Sequence, residues 1–206
     1  MESFDRKAHW EKIYHTKPLE QVSWYQPIPV TSLEFINELE VPLDARIIDI
    51  GGGDSFLAEH LLDLGYEDIT VLDISEQAIQ RAKERLEHRA DQVKWIVSDI
   101  LDFVPGRQYD LWHDRAAFHF LIDDEDVKRY VQIVNDGLAV TGNVLIGTFA
   151  LDGPAKCSGI DIRQYSEETL NNCLKADFEQ VKSRSVHHPT PFDTLQHFVF
   201  SCFRKR

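Results

Sequence analysis

The chain has 206 residues, 43% of them hydrophobic and 28% charged, enough for one domain with a full core of its own. Its 35 acidic residues outweigh 22 Lys and Arg, a formal net charge of −13; nucleic-acid affinity rests largely on Lys and Arg neutralising phosphates, so that partner is disfavoured. No apolar run approaches the length that spans a bilayer, and three cysteines (Cys157, Cys173, Cys202) without CxxC spacing point to reduced thiols, not to a disulfide framework or a zinc site.

The opening stretch "MESFDRKAHWEKIYHTK" is charged and lacks the apolar centre of a signal peptide, and its acidic residues argue against a transit peptide. The expectation is a cytoplasmic protein with no membrane partner. Residues 1–44 read as one or two helices, "TSLEFINELE" among them, placed to pack over one edge of the remaining chain. Trp10 and Tyr14, spaced i and i+4, read as a packing pair. Trp24, Tyr25 and Gln26, just before "PIP", form a cluster in a segment too irregular for a core helix. It reads as a lid, with simple anchoring of the N-terminal helix as the alternative.

From residue 45 the pattern alternates. "ARIIDI" is a short β run ending at glycines, and a helical face through Leu57, Leu61 and Leu64 runs from about Ser55 until Gly65. "DITVLDI" is a second strand, and Ser75 caps a helix with Ala78, Ile79, Ala82 and Leu86 on one face. "VKWIVSDI" and "YDLWH" are the third and fourth strands. The acids at 123–126 suit the start of a helix carrying Val127, Tyr130, Val131, Val134 and Leu138. "NVLIGTFA" is a fifth strand, and a helix spans about Ser166 to Leu174. "FEQVKSRSV" and "LQHFVFSCF", separated by the turn-rich "HHPTPFDT", read as an antiparallel hairpin. With no repeat, low-complexity tract or linker, residues 1–206 read as a single domain: a helical, lid-like segment (1–44) on an α/β core (45–206). Strands alternating with helices imply a mostly parallel sheet covered on both faces, and such sheets bind ligands at the carboxyl ends of their strands.

Three strand ends in succession carry candidate binding residues. "IIDIGGGDSFL" places Asp49 at the end of the first strand and Gly51, Gly52 and Gly53 in a tight turn before a helix, where the backbone can approach a ligand and free N–H groups are on offer. The nicotinamide fingerprint GxGxxG needs a small residue where Phe56 stands, and the phosphate-loop GxxxxGK[ST] is absent. The loop therefore suits a nucleoside ligand without a pyrophosphate. Asp73 closes the second strand, 20 residues after Gly53, where a carboxylate can accept two ribose hydroxyls. Asp99 closes the third, placed to accept from an adenine amino group.

"DIGGG", "VLDIS" and "SDI" at these spacings resemble the class I S-adenosylmethionine-dependent methyltransferases over residues 45–203. The resemblance implies a Rossmann-like, doubly wound, mostly parallel seven-stranded sheet in a three-layer α/β/α fold, with the C-terminal antiparallel hairpin that this family adds. It implies S-adenosylmethionine as cofactor, S-adenosylhomocysteine as product and no metal. Gly51 and Gly53, with Gly52 between them, would approach the methionine part. Asp49 would order the loop and bond the methionyl amino group directly or through water. Asp73, followed by Ile74, would take the ribose hydroxyls, and Asp99 and Ile100 would flank the adenine. Ser55 departs from the pattern, many members having a third glycine there. "SWYQ", "DLWHDRAAFHFL" and "TFALDGPAKCSG" together resemble a bacterial branch of these enzymes, and "WHDRAAF" is similar to the fourth-strand motif of thiopurine and thiol methyltransferases and, distantly, to a segment of protein-lysine methyltransferases.

Methyl transfer from a sulfonium needs mainly a nucleophile held on axis and water excluded, with a general base only where the acceptor arrives protonated. The candidates are His113 and Asp114, which point to opposite sides on extended backbone, so that one faces the pocket and the other pairs elsewhere; which of them faces it stays open. Arg115 reads as a strand-end partner of Asp114, His119 as a semi-buried histidine or a pocket residue, and Cys157 as a pocket-lining residue rather than a nucleophile. The expected acceptor is a small molecule with a thiol or nitrogen; a protein lysine or N-terminus is the alternative, and a non-catalytic cofactor-binding protein the second. The residues leave oligomeric state open.

Overall fold

The computed structural model describes residues 4–206; the first three residues of the charged N-terminal stretch lie outside the described residues. Strands β1 (Arg46–Ile50), β2 (Asp68–Asp73), β3 (Val93–Val97), β4 (Tyr109–Arg115), β5 (Leu138–Phe149), β8 (Phe178–Pro189) and β9 (Leu195–Lys205) form one seven-stranded sheet in the order β3-β2-β1-β4-β5-β9-β8. Pairing is parallel from β3 through β5, while β9 runs antiparallel to both β5 and β8. The expected Rossmann-like sheet with its terminal hairpin is therefore the observed one. A small antiparallel pair, β6 (Lys156–Cys157) and β7 (Ile160–Asp161), adds to it in the "CSGID" loop.

Strand side chains alternate between the two faces. Ile47, Ile69, Val71, Leu111 and Leu145 turn towards α2 (Val30–Glu38) and α3 (Leu57–Asp63), which bury Phe35, Ile36, Leu57 and Leu61 there. Ile48, Leu72, Trp112, Val144 and Ile146 turn towards α5 (Asp124–Gly137) and α6 (Glu167–Leu174), which bury Tyr130, Val134, Leu170 and Leu174. Helix α4 (Glu76–Leu86) is capped by Ser75, whose hydroxyl accepts from Ala78 N–H at 3.1 Å, and buries the four apolar residues its spacing predicts.

No residue of helix α1 (Arg6–Thr16) is fully buried; polar ties and the packing of Trp10 and Tyr14 against Trp24 hold it. Glu11 accepts from Ser75 Oγ at 2.9 Å and from the N–H groups of Glu76 and Gln77 at 2.8 and 3.1 Å, placing a carboxylate on the positive end of α4. Partial burial would raise its pKa, but these bonds outweigh burial and hold it below the usual carboxylate range. Arg81 of α4 donates back to the carbonyls of Tyr14 and Lys17 at 2.9 and 3.0 Å.

Several boundaries differ from the sequence reading. Strand β4 runs two residues past "YDLWH", so Asp114 and Arg115 lie within the strand rather than beyond it. Leu138, expected on the helix face, instead opens β5 opposite Tyr109. Strand β5 starts five residues before "NVLIGTFA" and is bulged there, with Thr141 at φ +65° and the register slipping between Tyr109 and Leu111. Helix α3 starts at Leu57 rather than near Ser55. Strand β8 continues through "HHP", leaving a shorter hairpin turn.

Glu11→Ala removes three acceptor contacts and should cost about 1–2 kcal/mol of local stability. Amide exchange across α1 should then quicken about fivefold or more while the sheet is unaffected. Unchanged exchange in α1 would show that Glu11 does not hold the helix.

Candidate functional site

The carboxyl ends of β1, β2, β3 and β4 open into one cleft, roofed by α1 and the Trp24 segment, with about 1090 Å³ of empty space including its open mouth. Asp49, Ile50, Gly51, Gly52, Asp73, Ile74, Asp99, Ile100, His113, Trp24 and Cys157 all line it, so most of the residues singled out from sequence converge there.

The glycine loop is shaped by close approach. Gly51 has φ +67°, a left-handed conformation that costs a side-chain-bearing residue. A Cβ on Gly52 would stand 2.2 Å from Asp49 Oδ2. Gly53 does not line the cleft; its N–H donates to Asp73 Oδ2 at 3.0 Å, and a Cβ there would collide with Asp73 and Ala78. Ser75 N–H donates to the other Asp73 oxygen at 2.8 Å. Burial nonetheless pushes the Asp73 carboxyl up to about 6, against the pull of these two bonds.

Asp49 is buried, and its Oδ1 meets His113 Nδ1 at 2.6 Å, while His113 Nε2 reaches Ser32 Oγ of α2 at 2.8 Å. Asp49 Oδ2 has no partner. Asp99 caps the short turn Ile100–Asp102 by accepting from Leu101 N–H at 2.9 Å, and its other oxygen lies 3.8 Å from Arg6 Nη1. Arg6 also pairs with Asp126 at the start of α5.

His113 and Asp114 diverge as extended backbone requires, and it is His113 that lines the cleft. Asp114 faces α5, where it accepts from Ala117 and Phe118 N–H at 2.9 and 3.0 Å and from Tyr130 OH at 2.7 Å. Trp112 Nε1 donates to the same Tyr130 oxygen at 3.2 Å. Burial pushes the Asp114 carboxyl up to about 6 even with these donors. The geometry gives Asp114 a positioning role, fixing the turn after β4 whose Ala117 packs against Gly51. Arg115 is not its partner; it lines the cleft instead.

Other expected residues fall outside the cleft lining. Tyr25 packs edge-on against Phe56, and Gln26 Nε2 lies 3.4 Å from His188 Nδ1, so only Trp24 of that cluster faces the ligand space. His119 is fully buried against Phe149, and burial with the nearby Arg115 charge lowers its pKa to about 3. Cys157 lines the cleft as a thiol, its pKa raised by burial to about 11. Trp10 and Tyr14 join Trp24 and Phe120 in an aromatic wall, Trp10 lying 5.9 Å from Trp24 and 5.0 Å from Phe120 between ring centroids. Their i, i+4 spacing is equally that of core packing, which is why the sequence alone did not assign them to the site.

Together, the sheet order, the glycine loop after β1 and the acids closing β2 and β3 leave an open cleft at the carboxyl ends of the strands, where sheets of this kind bind ligands. Residues 47–142 match the family model described as a methyltransferase domain. The chain is 30% identical over 145 residues to the eEF1A lysine and N-terminal methyltransferase of Bos taurus; the match covers 69% of this chain but only 20% of that protein, so the chain spans about a fifth of this relative's length. Among solved structures it resembles the N-methyltransferase NodS of Bradyrhizobium japonicum in complex with S-adenosylhomocysteine, with a TM-score of 0.72 at 19% identity, covering 98% of this chain and 99% of that one. It also resembles the 1,6-didemethyltoxoflavin-N1-methyltransferase of Burkholderia thailandensis, with a TM-score of 0.75 at 20% identity, covering 97% and 86% of the two chains. The chain thus carries a methyltransferase-domain match over residues 47–142 and shares the fold of these solved methyltransferases. Among the described residues no cluster of three or more His, Cys, Asp or Glu is arranged to hold a metal ion, and no helix is long and apolar enough to cross a membrane.

Asp114→Asn leaves one oxygen to satisfy three donors, so it should cost about 1–3 kcal/mol of folding stability, read as a lower urea midpoint. A wild-type midpoint would contradict the positioning role.

Proposed function

We propose that this chain binds S-adenosylmethionine and transfers its methyl group to a small-molecule thiol or nitrogen. The observation that carries the reading is the unpartnered, buried Oδ2 of Asp49 beside a glycine turn with no room for side chains, at the end of a row of strand-end carboxylates. These residues fit the cofactor. Asp49 would meet its ammonium, Gly51 and Gly52 its methionine part, Asp73 with Ile74 its ribose, and Asp99 and Ile100 its adenine. When bound, the group supplies an activated methyl on a sulfonium whose departure as a neutral thioether is favourable.

The protein's own work is then orientation and exclusion of water. Trp10, Tyr14, Trp24 and Phe120 form an aromatic wall that keeps the reacting centre dry and favours positive charge through its ring faces. His113, clamped between Asp49 and Ser32, holds the Asp49 carboxylate in register with the loop. His119, fully buried with its pKa far below neutral, makes a poor general base, and Cys157 stays protonated at neutral pH. A thiol or amine acceptor that arrives deprotonated needs neither.

The enclosing aromatic roof supports a small acceptor, which can be wholly covered. The 30% identity to an eEF1A lysine and N-terminal methyltransferase supports a second reading, a protein lysine or N-terminal amine as acceptor. A screen of thiols, amines and lysine peptides that reads S-adenosylhomocysteine formation separates the two; cofactor binding with turnover of none of them would favour a non-catalytic binder.

Calorimetry should detect S-adenosylhomocysteine binding, and Asp73→Ala should abolish most of it; wild-type affinity in that variant would remove Asp73 from the ribose site. With its carboxyl near 6, Asp73 is ionised at pH 7.5 and mostly protonated at pH 5, where it loses acceptor capacity. Affinity should fall about tenfold between those pH values, one logarithmic unit past the pKa. Asp73→Asn should bind weakly with a flat profile. A slope that survives in Asp73→Asn would place the titrating group elsewhere.

A further inference from the structure

We propose that Asp54 and Arg81 are positioning residues that couple the floor of the cleft to its roof, so that a ligand seated on the glycine turn fixes α1 over itself through this pair. The proposal rests on the cofactor reading above, which makes that ligand S-adenosylmethionine; neither residue touches it.

Asp54 is a buried carboxylate that takes no part in the ligand space. It follows Gly53 in the glycine turn yet does not line the cleft, and its side chain is only 1% exposed. A charge so far from water persists only where cations meet it, and here both come from α4. Arg85 Nη1 donates to Asp54 Oδ1 at 2.6 Å, while its other nitrogens serve Glu59 and the carbonyl of Ser55. Arg81 lies one turn earlier on the same helix face. Its Nε stands 3.2 Å from Asp54 Oδ2 but out of line, so that oxygen has no hydrogen bond. Burial pushes the Asp54 carboxyl up against the pull of both arginines, and closer approach by Arg81 to the open oxygen would relieve it.

Arg81 has a second attachment. Its Nη1 donates to the carbonyls of Tyr14 and Lys17 at 2.9 and 3.0 Å, at the C-terminal end of α1. The sequence shows why this end needs a donor: four residues beyond Tyr14 stands Pro18, which has no N–H to give that carbonyl. One guanidinium thus joins the glycine turn to the helix that carries Trp10 and Tyr14 across the cleft. The ties from Glu11 and Arg6 run elsewhere, to the start of α4 and to Asp99 and Asp126. A lysine, with its single compact head, could not span both attachments.

The test follows amide exchange of α1 in the full chain, free and saturated with S-adenosylhomocysteine. Calorimetry establishes saturation and thermal melts establish folding. In wild type the ligand should slow exchange across residues 6–16 about tenfold or more. Asp54→Asn keeps both bonds from Arg81 to α1. Exchange in the free variant should therefore stay within about twofold of wild type, while the ligand-induced slowing falls about fivefold. Arg81→Met should lose the slowing too, and the double variant should lose no more than Arg81→Met alone, as befits residues acting in series. Should Asp54→Asn not fold, Arg81→Lys takes its place, with the same loss expected. Direct contact of the ligand with Trp10 or Tyr14 would protect α1 in every variant. Wild-type slowing in Asp54→Asn or Arg81→Lys, or additive losses in the double variant, therefore overturns the coupling. Absence of binding to wild type sinks the cofactor reading and this proposal with it; binding without slowing of α1 sinks the coupling alone.

Discussion

One buried carboxylate links the parts of this structure that matter for function. Asp49 ends the first strand, fills the space a side chain at Gly52 would need, and bonds to His113 at the end of the neighbouring strand, which in turn reaches Ser32 of α2. The glycine turn, the fourth strand and helix α2 are therefore set relative to one another through a single hydrogen-bonded chain. A charge held away from water in this way persists only where its bonds are strong or a ligand completes them. One of its two oxygens is still open.

The same logic governs the rest of the cleft. The parallel core of the sheet brings β1, β2, β3 and β4 to a common edge, so residues far apart in sequence become neighbours by position alone. Burial then tunes them: Asp73 and Asp114 both sit near 6, one facing the cleft and one bracing the turn behind it. Helix α1 closes the site both by polar ties to α4 and by packing Trp10 and Tyr14 against Trp24.

The parts of the site legible in the sequence were those where backbone and chemistry coincide. "DIGGG" demands a tight turn, and Asp73 and Asp99 close strands whose apolar runs are unmistakable. Alternation also separated His113 from Asp114, although it could not say which side faced the ligand, because that depends on which helices cover each face. Arg115 escaped for a related reason: an acid followed by a base reads as a local pair, whereas consecutive strand residues point apart and Asp114 is satisfied by Tyr130 and two backbone N–H groups. Tyr25 and Gln26 lie beside Trp24 in sequence yet turn away from the cleft, against Phe56 and His188. The start of β5 was hidden because Leu138 continues the apolar spacing of the preceding helix, and the bulge at Thr141 breaks the strand pattern before Asn143.

The central claim is that a row of strand-end groups reads one nucleoside ligand from its amino-acid end to its base. A crystal structure of the protein grown with S-adenosylhomocysteine tests it most directly. The ribose hydroxyls should then lie within hydrogen-bond distance of both Asp73 oxygens, the amino group on Asp49 Oδ2 and the adenine beside Asp99 and Ile100. Density for the ligand elsewhere, or reversed so that the base lies against Asp49, would contradict it.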